Sequence, residues 1–183
     1  RPQPLIGATG DWLQREFWPL TKLEYSKVSK ANVVKCRPNG VNELPAIGST
    51  KPINGISAKM LKEAIAHCTQ AYLRVPSSVK YILAMGSISL YHLTGEIKIT
   101  ETDETNIVTY KKEGISNWRG SVLGFVLGSD NTHNTIYGIK EYYSPRRIGL
   151  VNVFPVLHIA SLFQNTRYYH ATLLDFVRFG KLV

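Results

Sequence analysis

The stretch that most limits what this chain can become is Ser57–Lys98, SAKMLKEAIAHCTQAYLRVPSSVKYILAMGSISLYHLTGEIK. Its apolar side chains fall at Met60, Leu61, Ala64, Ile65, Cys68, Ala71 and Tyr72. That spacing makes one stripe of a helix apolar. Ser57 stands where an N-cap belongs, and Ile56 can staple against Leu61. Pro76 has no amide donor and disfavours helix at Val75, so the run ends there. Ser77 or Ser78 caps a second predicted helix carrying Val79, Ile82, Leu83 and Met85. Gly86 breaks it, and Leu90 to Ile99 alternates like a strand. The expectation is a helical hairpin that leads into a sheet.

The rest of the chain must supply that sheet. Glu96–Tyr110, EIKITETDETNIVTY, alternates Ile97 and Ile99 with charge, turns at Asp103-Glu104 and resumes at Ile107 and Val108. This predicts a half-buried antiparallel hairpin with an acidic tip. Trp118, Val122, Leu123, Phe125, Val126 and Leu127 predict a buried central strand. Ile136–Tyr143 and Leu150–Phe154 are further strands. Ile159, Leu162 and Phe163, then Leu173, Leu174, Phe176 and Val177, predict a final helix with Gly180 at its C′ position. At 183 residues the chain buries roughly 70% of its unfolded surface and needs no disulfide or metal to hold together. Two cysteines, Cys36 and Cys68, are too few for a disulfide framework, and Cys68 on the apolar stripe favours a reducing compartment.

Charge is uneven. The formal net charge is +9, which draws a protein to anionic surfaces. Arg1–Lys62 holds ten basic and four acidic residues, Glu96–Glu113 three and five, and Lys140–Lys181 six and two. Both ends are therefore basic around an acidic hairpin, an arrangement suited to head-to-tail association of copies. Residues 1–20 read as a flexible N-terminal arm ending in DWLQREFWPL, whose Trp12, Phe17 and Trp18 are candidates for docking on a neighbouring copy. Residues 21–183 read as the globular domain. Thr21–Pro38 carries Lys22, Lys27, Lys30, Lys35 and Arg37 against a lone Glu24. With Arg146 and Arg147, these are the candidate polyanion contacts. Each lysine near anionic lipid contributes about 1 kcal/mol, and the same residues would give salt-sensitive affinity for nucleic acid. The sequence leaves both open. Tyr142-Tyr143 beside Arg146-Arg147, and Tyr168-Tyr169 beside Arg167, are also able to stack bases.

Catalytic patterns are missing. No histidine stands one helical turn from another His or a Cys, and His67-Cys68 are adjacent, hence on different helix faces. No phosphate-binding loop, dinucleotide fingerprint or nucleophile elbow occurs. No catalytic residue, metal site or cofactor is expected, and no apolar run approaches the ~18 residues of a membrane span.

Two stretches resemble the matrix proteins of rhabdoviruses. Within Lys51–Leu93, the lead-in KPINGIS precedes LKEAIAHCTQAYLR, and after a Pro/Ser break SVKYILAMGSISL ends in a Gly-Ser turn. Within Tyr142–Val183, YYSPRRIGLV resembles the family's basic turn before a late strand, and YHATLLDFVRFGKLV resembles its final helix. The chain departs from the family in lacking a Pro-Pro-x-Tyr motif. The resemblance implies a non-enzymatic virion structural protein. Such a protein self-associates, condenses the helical nucleocapsid and bridges it to the inner leaflet of the envelope, in the virion, the host cytoplasm and at the inner face of the membrane. The other reading of the charge is a nucleic-acid-coating nucleocapsid or capsid subunit. The fold expected is a single α+β domain, with an antiparallel sheet packed against the helical hairpin and the C-terminal helix.

Overall fold

The computed structural model describes residues 4–5, 7–34, 44–45, 50–72, 78–94, 98–102, 108–112, 115–126 and 150–183. For 69–72, 91–92, 94, 98–102, 108–112, 123–126 and 150 it describes the backbone alone. Ser57 caps as expected: the Met60 amide donates to Ser57 Oγ at 3.2 Å. Three short helical turns aside, the next described element after α1 (Ala8–Trp12) is α2, Ala58–Tyr72. Its apolar stripe buries Leu61 and Ile65, with Ile56, Val33, Val34, Leu44 and Ile88 packed over them.

The predicted second helix is a strand instead. Tyr81–Met85 forms β1, and Gly86, at φ 88°, turns the chain into α3, Ser87–Thr94. A short apolar run does not by itself distinguish strand from helix. Here the decision comes from β5, Leu150–Val156, which pairs with β1 in parallel from Tyr81↔Asn152 to Met85↔Val156. The helical hairpin is therefore replaced by a helix–strand–helix unit. The strand expected from Leu90 begins later, at β2 (Lys98–Thr102), which pairs antiparallel with β3 (Val108–Lys112). This is the hairpin expected from Glu96–Tyr110; its acidic tip lies outside the described residues, as does the Ile136–Tyr143 strand. Trp118 lies in a short helix, α4 (Ile115–Trp118), and β4 (Leu123–Val126) pairs antiparallel with β5.

The main sheet thus has the order β1-β5-β4. The α+β class holds, but this sheet is mixed rather than antiparallel, and β5, not β4, is central among the described strands. From Val151 to Val156 it is buried on both faces, with Asn152 half-buried, as a nearly continuous apolar run in a central strand should be. Phe154 and Val156 join one core, while Val151 and Val153 join Ala84 on the other side, under Ile82 and Leu93. Pro155 falls beyond the end of the β4 pairing, where its missing amide is tolerated.

The first core also contains Leu13, Phe17 and Trp18, together with Ile159 and Leu162 of α5 (Ile159–Gln164) and Phe176 and Phe179 of α6 (Tyr169–Leu182). The stretch expected as an arm, residues 1–20, thus contributes Leu13, Phe17 and Trp18 to this core. α1 passes into a π-helical turn, Leu13–Phe17, and then a 3-10 turn, Trp18–Thr21. Pro19 cannot donate to an α-helical ladder, which suits the tightening at that point. Gly180 lies inside α6 rather than at C′. A Cβ there would sit 2.5 Å from Thr21 Cα, so only glycine lets the 3-10 turn lie against the helix backbone.

Candidate polyanion and self-association surfaces

Phe17 is fully buried and Trp18 is 6% exposed. Phe17 meets Phe176 with ring centroids 5.5 Å apart and meets Tyr169 edge-on at 5.8 Å. Burial of this kind is what their apolar area favours, and it removes both from any surface. The sequence expectation for both is docking on another copy; in this structure both lie in the chain's own core. Trp12 alone of the three reaches outward. It is half-buried between Phe163 at 4.6 Å and Tyr169, nearly parallel at 6.0 Å.

Trp18 has a different task, which is to fix the lysine-bearing segment. Its Nε1 donates to the Leu23 carbonyl at 2.9 Å. Thr21 Oγ1 donates to the Trp18 carbonyl at 2.8 Å and accepts from the Leu23 amide at 3.1 Å. Its ring packs edge-on against Tyr25 at 5.2 Å. Lys22, at the end of the turn, is exposed and holds a left-handed φ of 59°, a conformation uncommon for a residue with a Cβ. Lys27 pairs with Glu24 at 2.7 Å, and Ser26 Oγ donates to the other Glu24 oxygen at 2.7 Å. Lys27 first and Ser26 second hold the Glu24 carboxyl below its ordinary pKa. Lys30 Nζ donates to the Tyr25 carbonyl at 3.0 Å and lies 3.6 Å from that ring's centroid, a cation–π contact.

The structure thus brings Lys22, Lys27 and Lys30 onto one short ribbon. Lys35, Arg37, Arg146 and Arg147 lie outside the described residues. It also adds a cation that sequence reasoning missed. Because Thr21 lies on Gly180, their chain neighbours Lys22 and Lys181 share one end of α6, both exposed. No carboxylate among the described residues pairs with either. The signal was Gly180, whose close-approach role is not distinguishable from a C′ role by sequence.

Along α6 runs an open groove of about 660 Å³, lined by Glu16, Leu20, Tyr169, His170, Leu173, Leu174 and Val177. Leu174 is 63% exposed. At the helix's first turn Tyr169 OH donates to Glu16 Oε2 at 2.6 Å. That bond is the main reason the Glu16 carboxyl titrates below its usual range and the Tyr169 phenol above its own. The groove is therefore acidic at one end and apolar along its floor, and Lys22 and Lys181 stand at the far end of α6, beyond its lining. In the sequence Tyr169 stood out only as a possible base-stacking ring and Leu173, Leu174 and Val177 only as helix markers, since an apolar residue on a helix stripe reads as core.

The far side of α6 is braced. Arg119, just after α4, lies 2.7 Å from Asp175 Oδ2, with side chains 20% and 3% exposed, and its Nη2 also donates to the Ala171 carbonyl. Burial raises the Asp175 pKa, and Arg119 opposes that shift. Asp175 Oδ2, Arg119 Nε and Trp118 Nε1 are buried without an aligned hydrogen-bond partner, so this is a costly structural clamp rather than an open site.

Of the other groups, Cys68 is buried while His67 is exposed, as their adjacency on a helix requires. Among the described residues no three His, Cys, Asp or Glu side chains are grouped to hold a metal ion, and no helix is long and apolar enough to cross a membrane. No family model matches the chain, and no curated protein is detectably similar to it. What the described surfaces offer chemically is multivalent attraction for anions and an apolar contact strip.

Proposed function

We propose that this chain is a matrix-type assembly protein rather than an enzyme. In this reading it self-associates, condenses a helical nucleocapsid and holds it against the anionic inner leaflet of a viral envelope, working in the virion, the host cytoplasm and at the inner face of the membrane. The observation that carries the reading is the lysine ribbon, pinned to the core by Trp18 and joined at its start by Lys181. Cations held in place on a rigid base add their attractions to a flat anionic surface without first losing much conformational freedom. The resemblance of Lys51–Leu93 and Tyr142–Val183 to rhabdovirus matrix proteins points the same way. The ribbon supports lipid better than bases: one face of Tyr25 carries Lys30 and its surroundings include the Trp18 edge, which leaves the ring little face for stacking.

Vesicle flotation tests it. Anionic vesicles should carry the protein at low salt and release it at about 0.5 M, because screening shortens the reach of each charge. Neutral vesicles should carry little. Equal recovery on both would refute the membrane role. Stoichiometric RNA binding at ~50 mM salt with no vesicle preference would assign the ribbon to a nucleic-acid-coating subunit instead.

A further inference from the structure

We infer that the groove along α6 is a two-fold self-association surface, in which α6 of one copy lies antiparallel in the groove of another. The inference rests on the self-associating part of the proposed function and moves it to a new place. The docking residues expected from sequence are largely buried, whereas this strip is open.

Charge complementarity about a symmetric centre favours this arrangement. His170, Leu173, Leu174, Val177 and Lys181 lie on one stripe of α6, spaced as successive turns require. The first four line the groove, and Lys181 continues the stripe one turn beyond it. Glu16 is tied to Tyr169 at the start of the helix, and Lys22 and Lys181 stand at its end. The most exposed apolar residue of the strip, Leu174, falls near the middle of a helix about 21 Å long. A two-fold axis near Leu174 therefore sets Glu16 of each copy against Lys22 and Lys181 of the other, twice over. It also packs the apolar floor against its own image. An isologous contact requires this self-complementarity. A parallel or head-to-tail arrangement of the same strips would put like ends together or leave one pair of charges unmatched. Antiparallel helices further set their dipoles in opposition. The Arg119–Asp175 clamp lies on the far side of the helix and stays out of the contact.

One helix pair is small beside the roughly 1,200–2,000 Å² of a standard stable interface. The expected contact is correspondingly weak, forming and releasing with concentration.

The experiment is sedimentation of the full chain over a concentration series at low salt, without lipid. Wild type should show a reversible monomer–dimer equilibrium. Leu174→Asp places a charge on the axis and should weaken it by at least about tenfold; since Leu174 is already exposed, the fold should be unchanged by circular dichroism. Glu16→Lys and Lys181→Glu should each weaken it several-fold, and the two together in one chain should bind severalfold more tightly than Glu16→Lys alone, short of wild type because Lys22 still faces position 16. Restoration is the decisive readout: it cannot come from the lost Tyr169–Glu16 bond, which the second substitution does not replace. A wild type that stays monomeric throughout, or a double variant no better than the worse single, would overturn the inference. So would Leu174→Asp losing vesicle binding while wild type remains monomeric, which would assign the strip to the bilayer. Vesicle flotation of the monomeric Leu174→Asp protein separates the two ideas. Retained binding keeps the proposed function whatever becomes of the dimer.

Discussion

Among the described residues, removing Arg119 should damage this fold more than removing any other exposed or half-exposed charge. In Arg119→Met the Asp175 carboxylate, 3% exposed, loses the guanidinium 2.7 Å away, and Ala171 loses its donor. Breaking a buried pair from one side costs about 3–5 kcal/mol, a large part of the roughly 5–15 kcal/mol that holds a domain together. With a urea slope of about 2 kcal/mol per molar, the unfolding midpoint should fall by roughly 1.5–2.5 M. The Asp175 pKa lies above its ordinary value because burial outweighs the attraction of Arg119, so the environment as a whole disfavours the charge. Replacing both partners, Arg119→Met with Asp175→Leu, should therefore recover most of the loss and come within about 1 kcal/mol of wild type. The sign of the pH dependence follows from the same shift. A carboxyl whose folded pKa exceeds its unfolded one contributes its stability fully below the unfolded value and loses it as pH rises through the folded value. Asp175→Asn should remove that slope. Urea melts of the four proteins at several pH values give the answer. A single variant within about 1 kcal/mol of wild type, or a double variant as unstable as the single, would refute the reasoning.

Lys22→Gly should raise stability by about 0.4–1 kcal/mol, because glycine accepts the left-handed φ that lysine resists, while lowering recovery on anionic vesicles; thermal melts and flotation should move in opposite directions. Trp18→Phe keeps most of the buried ring but removes the Nε1 bond to Leu23, and should cost about 1 kcal/mol along with faster amide exchange at residues 23–28. Tyr169→Phe should let the Glu16 carboxyl titrate higher, toward an ordinary glutamate, as followed by NMR. Glu16 contributes its stability above the unfolded pKa and loses it as pH falls through the depressed folded value, so the variant should also be less sensitive to acid.

What the sequence made legible was local. Ser57, Ile56 and the Leu61/Ile65 stripe specify α2 within a few turns, and alternation in EIKITETDETNIVTY specifies the hairpin. What it hid depends on partners distant in the chain. YILAM became a strand because β5 offered a parallel edge, and Leu90 stayed helical until Thr94. Trp18 and Phe17 look alike whether they anchor a neighbour or their own core, since both uses bury the same apolar area. Gly180 hid the adjacency of Lys22 and Lys181, because a glycine near a helix end has two ordinary uses. The candidate site was legible as composition, a run of lysines beside aromatics. Its geometry was not, because the groove exists only where two ends of the chain lie together.

The shared core of Leu13, Phe17, Trp18, Phe176 and Phe179 also governs how the protein must be made. At translation rates of roughly 5–20 residues per second, about 8–30 s separate the synthesis of Trp18 from that of Phe176. During that interval the N-terminal aromatic rings lack the α6 side of their core, and β1 has no partner among the described strands until β5 is synthesised. A nascent chain in this condition exposes apolar surface that invites aggregation, and a ribosome that stalls before the last helix is complete would release a sticky fragment instead of a subunit.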